Sequence, residues 1–282
     1  MHKVITGDGR TLAAEEWGVP DGTPVLSLHG TPMGRLARYP DGELFDRLGI
    51  RLITYDRPGF GASEAAPGRV VADAAGDAVA IADALGIGRF AVFGVSGGGP
   101  HALAVAAAHP DRVTRVATLA GMAPRDAAGL DWTAGMMEGN QVSAIAALLG
   151  RAAVHTHLSA VGSAAPPALP EAEQAVLARP AIRDMLGAAF AEAMRPGLDG
   201  WVDDVVALWG SPWGFDAASV GVPVRIWHGA QDSVVPVAHG EWLAGRIPGA
   251  TLVRQEDAGH AGHFDATPAT LEWLLAADRA AA

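Results

Sequence analysis

The chain has 282 residues, half of them apolar and only 18% charged, with a formal net charge of −11. This composition excludes a disordered chain and speaks against a nucleic-acid binder, whose affinity would come from clustered Lys and Arg. There is no cysteine, and the only lysine is Lys3. Disulfides, thiolate nucleophiles, Cys-bound metals, a P-loop lysine and a buried Schiff-base lysine are therefore all excluded.

Near the N-terminus, Thr6-Gly7-Asp8-Gly9 reads as a turn and leaves no room for the apolar core of a signal peptide. The uncharged stretch that begins at Phe90 is interrupted by Gly97-Gly98-Gly99-Pro100, so it reads as a buried strand–turn–helix and not a membrane span. A cytoplasmic protein with no membrane span is the expectation.

Two short strands are predicted first, at Lys3–Ile5 and Thr11–Trp17, around the Gly7-Asp8-Gly9 turn. Apolar runs follow at Pro24–Leu28, Arg51–Tyr55, Phe90–Val95 and Val113–Leu119, each bounded by Gly, Pro or polar residues. Continuous runs of this kind suit strands buried on both faces, as in a parallel sheet. Helical spacing over Ala72–Leu85 and Pro100–Ala108 alternates with them, which predicts an α/β architecture.

From Pro124 to about Phe215 the strand-like runs stop. Ile182, Met185, Leu186, Ala189, Phe190 and Ala193 share one helical face, and Gln141–Leu149 and Leu198–Trp209 also read as helices. Ala164–Pro170 reads as a stiff connector. Strand character returns at Pro223–Trp227 and Thr251–Val253, and a last helix is expected over Pro268–Ala277. The expected organisation is an α/β core of residues 1–124 and 216–282, interrupted by a helical cap of residues 125–215.

The sharpest local signal is Gly94-Val95-Ser96-Gly97-Gly98 between a predicted strand and a predicted helix. A serine on such a hairpin takes a strained backbone conformation, and its neighbours two positions away approach the turn too closely for a Cβ. Gly-x-Ser-x-Gly also arises as an ordinary turn in a chain with 36 glycines, so its partners decide the reading. Asp232 follows the strand ending at Trp227. His260 and His263 both follow the last strand, and residue chemistry alone does not choose between them as the base. His29-Gly30-Thr31-Pro32, after Leu28, can bring a second backbone donor near the serine.

Taken together and in order, His29-Gly30-Thr31-Pro32, Asp56-Arg57-Pro58-Gly59-Phe60-Gly61-Ala62-Ser63, the Ser96 elbow, Gly229-Ala230-Gln231-Asp232 and Gly259-His260 resemble the α/β-hydrolase superfamily, in its capped bacterial branch with a serine nucleophile. The resemblance implies about eight mostly parallel strands, with the cap inserted after strand six. It also implies Ser96 as nucleophile, Asp232 as acid, His260 as base, and oxyanion donors at Thr31 and Gly97. It implies neither metal nor cofactor.

The remaining candidates have structural readings. Asp56 and Arg57 read as a turn pair, His29 as a residue that holds the Gly30–Thr31 loop, and Glu256 and Asp257 as solvated. The histidine pairs His155/His157 and His260/His263 lack the further ligands that zinc needs. Trp132, Met136, Met137, Phe190 and Trp209 are candidates for the pocket roof, though for most of them a place in the segment's own core is the preferred reading, and His29 and His263 are further pocket candidates. They predict a small hydrophobic substrate carrying an ester, thioester, lactone or amide. Non-hydrolytic chemistry on the same scaffold (a perhydrolase, lyase, cofactor-free oxygenase or cyclase) and a ligand-binding receptor are the alternatives. The oligomeric state is left open, a homodimer being compatible with the sequence.

Overall fold

The apolar runs become the central strands of a computed structural model that describes residues 1–161 and 170–279. Eight strands are formed: β1 (His2–Ile5), β2 (Thr11–Gly18), β3 (Thr23–Leu28), β4 (Ile50–Tyr55), β5 (Phe90–Val95), β6 (Val113–Leu119), β7 (Val224–Gly229) and β8 (Thr251–Gln255). Their spatial order is β1-β2-β4-β3-β5-β6-β7-β8. β1, β2 and β4 pair antiparallel, and every pairing from β4 through β8 is parallel.

Alternation along each strand separates two cores. Leu26, Leu28, Val92, Val116 and Ile226 join one cluster, beneath α2 (Ala74–Ala84), α3 (Gly98–Ala108) and α9 (Val237–Arg246). Val25, Ala91, Phe93, Ala117 and Trp227 join the other, with α1 (Gly42–Leu48) and α10 (His263–Arg279). Strands buried on both faces have no polar face to display, which is why these runs carry no alternation in hydropathy. The edge strand β8 is mostly exposed instead.

Between β6 and β7 the chain leaves the sheet and forms α4 (Glu138–Leu149), α5 (Arg151–Val161), α6 (Glu171–Leu177), α7 (Pro180–Ala193) and α8 (Asp199–Val205), which continues as a π-helical turn over Val206–Gly210. The predicted connector at Ala164–Pro170 lies, as far as Leu169, outside the described residues. This helical segment has a small core of its own around Ala147, Val154, Leu158 and Val202. It is also sewn to the sheet domain. Trp132, Met136 and Leu208 belong to the main core cluster, and Gly59 and Gly200 touch so closely that a Cβ on Gly200 would lie 2.3 Å from the Gly59 carbonyl oxygen.

Helices α1, α5, α6 and α9 were not anticipated by periodicity. For α1 the caps were in the sequence: Asp41 accepts from the Glu43 N–H at 3.0 Å, and Gly49 closes the helix at φ +68°.

Candidate active site

β5 ends at the carboxyl edge of the sheet, and the chain reverses into α3 through Ser96. Ser96 has φ +53°, the left-handed region that a side chain occupies at a cost of about 1–3 kcal/mol. The surroundings enforce it: the Ser96 N–H donates to the Leu119 carbonyl at 2.8 Å, and the Gly99 N–H donates to the Ser96 carbonyl at 2.9 Å. A Cβ on Gly94 would lie 2.1 Å from the Gly98 oxygen, and one on Gly98 would lie 2.1 Å from the Leu28 oxygen. Both glycines flanking the serine are steric requirements. Among the described residues the Ser96 hydroxyl has no hydrogen-bond partner, and the residue lines a cavity of about 350 Å³.

Asp232 sits in the turn after β7. Its Oδ1 accepts from the Val234 and Val235 N–H groups at 2.9 and 2.8 Å, and its Oδ2 accepts from His260 Nδ1 at 2.7 Å. Burial would raise this carboxyl, but the charge of His260 and hydrogen bonds from His228 and His260 hold it below the usual carboxylate range. Conversely, burial would lower the pKa of His260, and the Asp232 carboxylate more than offsets this, so it is raised above 6.5. With Nδ1 bound to Asp232, Nε2 is the free nitrogen of the neutral ring, and His260 lines the same cavity as Ser96.

His263 also lines the cavity, but its hydrogen-bonding position is different. Its Nδ1 is buried without a partner, and burial together with the charge of His260 pushes its pKa down to about 3. The carboxylate engages His260, not His263.

The His29–Thr31 loop packs directly against the elbow; a Cβ on Gly97 would be 2.4 Å from Thr31 Oγ1. His29 Nε2 accepts from the Arg57 N–H at 3.1 Å, so its proton is on Nδ1, 2.8 Å from the Gly30 oxygen. Burial and the Arg57 guanidinium keep this ring neutral.

Asp56 and Arg57 do not pair with each other, because neighbours leaving β4 point to opposite sides. Asp56 accepts from Arg35 Nη1 at 2.6 Å, whereas Arg57 reaches the fully buried Asp204 of α8 at 2.5 Å. Asp204 also accepts from Arg69 at 2.6 Å and from the Thr31 hydroxyl at 2.5 Å. The reading of Asp56–Arg57 as a turn pair is thus corrected: each ties a different part of the helical segment or the loop to the sheet.

Five of the predicted roof residues lie elsewhere. Trp132 is 2% exposed and donates from Nε1 to the Ala123 carbonyl, and Met136 is in the same core. Met137 precedes α4, with its N–H on the Ser233 oxygen, and Trp209 Nε1 faces the Met122 sulfur. Phe190 is 43% exposed. Helical periodicity identifies an apolar face but not what covers it. The apolar wall is made instead by Leu28, Met33, Phe93, Leu177, Met185, Leu186 and Phe264.

A residue that sequence reasoning missed is Glu173 of α6. It is 2% exposed, and its carboxylate accepts from the His260 N–H and, at 2.6 Å, from the Ala261 N–H. Gly259 lets this carboxylate approach closely: a Cβ there would lie 2.1 Å from Glu173 Oε1. No local signal distinguishes this glutamate from an exposed one. His155 is exposed, His157 lies 2.9 Å from the Ser143 hydroxyl, and no described group of three acidic or histidine side chains could hold a metal. Among the described residues, no helix is long and apolar enough to cross a membrane.

Residues 23–267 match the family model of the alpha/beta hydrolase fold. A pimeloyl-[acyl-carrier protein] methyl ester esterase of Chromobacterium violaceum is 30% identical over 248 residues, covering 85% of this chain and 88% of that protein. A non-heme chloroperoxidase of Streptomyces lividans is 34% identical over 128 residues, 44% of this chain and 46% of the relative, so less than half of that protein is matched. Among solved structures, a thermophilic esterase of Thermogutta terrifontis superposes with a TM-score of 0.71 at 25% identity, covering 98% of each chain. With its sheet order, its strand-end serine and a family match spanning almost all of its length, the chain belongs to the α/β-hydrolase fold family.

Proposed function

We propose that the protein is a serine ester hydrolase. Ser96 attacks the carbonyl carbon while His260 Nε2 takes its proton; Asp232 orients the ring and stabilises the imidazolium that forms. The Thr31 and Gly97 N–H groups stabilise the oxyanion, His260 returns the proton to the leaving alcohol, and then activates water to release the acid from Ser96. The helices of residues 125–215 act as the cap over this chemistry, and the mainly apolar wall favours a small hydrophobic acyl or alcohol group.

The observation that carries this reading is the strained Ser96, opening into the same cavity as a histidine already bound through Nδ1 to a carboxylate. The ester-hydrolase names of the Chromobacterium and Thermogutta relatives point the same way.

The test is covalent labelling by a fluorophosphonate. Wild type should be labelled on Ser96, Ser96→Ala should not, and His260→Ala should react at least 100-fold more slowly. A folded wild type that resists the probe would end the proposal. The Streptomyces relative favours one second reading, a perhydrolase. Labelling with no turnover of p-nitrophenyl esters, but peroxide-dependent halogenation in acetate, would select it.

A further inference from the structure

Buried guanidinium groups in this protein are matched to carboxylates wherever they flank the site. Arg35 meets Asp56 and Glu192, and Arg57 and Arg69 share Asp204. Arg38, three residues after Arg35, is different. Among the described residues it is the only arginine lining the 350 Å³ cavity, and it has neither an ion-pair nor a hydrogen-bond partner. Its Nε is buried with no acceptor, and its Cζ lies 3.9 Å over the Trp17 ring.

Stacking uses the face of a guanidinium and leaves its in-plane donors for an acceptor. Glu173, the acidic residue of the cavity wall, does not supply one, since it accepts from the backbone at His260 and Ala261. Arg38 is half-buried, its Nε is sealed from solvent without an acceptor, and a ligand anion would supply one.

We propose that Arg38 is a carboxylate-binding subsite of the cavity, and that the substrate is an ester carrying one carboxylate remote from the scissile carbonyl. The proposal rests on the ester-hydrolase reading for what happens at Ser96, and deepens it by naming the substrate class. A planar carboxylate fits the guanidinium fork in two parallel hydrogen bonds. One cation balances one negative charge; a phosphate dianion would leave an unmatched charge in a protein whose net charge is already −11. Burial lowers the Arg38 pKa from 12.5, with no carboxylate to raise it, and the group remains cationic at neutral pH.

The first experiment separates binding from chemistry. Calorimetric titration of Ser96→Ala with adipic acid monomethyl ester should give saturable binding. The affinity should fall about 10- to 100-fold in Ser96→Ala/Arg38→Gln, with Arg38→Lys between them, the size of effect expected for a charge-assisted hydrogen bond in a partly buried site. Unchanged affinity in the Gln variant, or no saturable binding at millimolar ligand, would overturn the proposal.

The second experiment needs no variant. In wild type, kcat/KM for mono-p-nitrophenyl adipate is compared with p-nitrophenyl hexanoate, and the butyryl ester of glycolic acid with ethyl butyrate. At least tenfold preference in the first pair places the carboxylate on the acyl side, and in the second pair on the alcohol side. A ratio near one in both pairs, with the neutral esters hydrolysed, removes the subsite and leaves the hydrolase. Binding that depends on Arg38 with no ester turned over removes the hydrolase and leaves the subsite.

Discussion

Asp204 offers the sharpest test of how the helical segment holds the site. It is fully buried, and it accepts from Arg57 at 2.5 and 3.2 Å, from Arg69 at 2.6 Å and from the Thr31 hydroxyl at 2.5 Å. Asp204→Asn keeps the shape but removes the charge, so two guanidinium groups buried to within a few per cent lose their counter-ion. Breaking a buried pair from one side typically costs about 3–5 kcal/mol, because the remaining charge is left unmatched. A native protein has roughly 5–15 kcal/mol in total, so the loss should be a large fraction of it. Burial raises the Asp204 pKa, but Arg57 and Arg69 bring it well below 3.8. A depressed carboxyl contributes stability above its unfolded pKa and loses it only as pH falls through the folded value, so the deficit should be the same at pH 6 and pH 9. The assay is urea unfolding followed by tryptophan fluorescence at both pH values. Replacing all three, as Asp204→Leu/Arg57→Met/Arg69→Met, should recover much of the loss, because matched apolar residues need no counter-charge. A single Asn variant within 1 kcal/mol of wild type would refute the account of this cluster as a buried charge balance.

Three further outcomes follow from the site geometry. In the proposed mechanism His260 must be neutral to accept the Ser96 proton, and its pKa is raised, so kcat/KM should fall as the pH drops, with a midpoint above 6.5; Asp232→Asn should move that midpoint down and reduce kcat by roughly 10⁴. The same raised pKa makes the His260 contribution to stability greatest at acid pH, and it declines as pH rises through the folded value. Gly94→Ala would put a Cβ 2.1 Å from the Gly98 oxygen and should abolish Ser96 labelling with at least about 1–3 kcal/mol of destabilisation, whereas Gly30→Ala, whose nearest contact is 3.4 Å from Ser96 Cβ, should stay folded and labelled. Glu173→Gln would turn an amide donor toward one of the two N–H groups of the His260 turn. It should cost about 1–3 kcal/mol in urea unfolding and, by removing a charge that raises the His260 pKa, shift the acid limb of the pH profile to lower pH; an unmoved limb would show that Glu173 exerts no field on the ring.

How much was legible depended on whether the determinant was local. Both flanking glycines of Ser96 were readable, because the clash they avoid is with the turn itself and with the strand beside it. Chain order put Asp232 and the loop of His260 and His263 at strand ends, the resemblance chose His260 between the two, and the sheet's parallel order brings those ends to one edge. Of the roof candidates, Trp132 is packed in the main core and not in the helical segment's own, and Phe190 is 43% exposed. Periodicity reports that a helix has an apolar face, while the neighbour covering that face is chosen by packing.

The eight strands, the elbow and the absence of thiol or lysine chemistry were therefore determined by the amino-acid order itself, since each depends on residue type and near neighbours in the chain. Which carboxylates are buried, and what they grip, was decided only on folding. Glu173 meets the His260 turn across 87 residues, and Asp204 meets Arg57 across 147. Arg38 Nε is buried without an acceptor, although Arg35, three residues before it, meets two carboxylates. The physical reason is that a charge's energy is set by its distance to other charges and by the water excluded around it, and neither quantity exists until the chain has closed on itself.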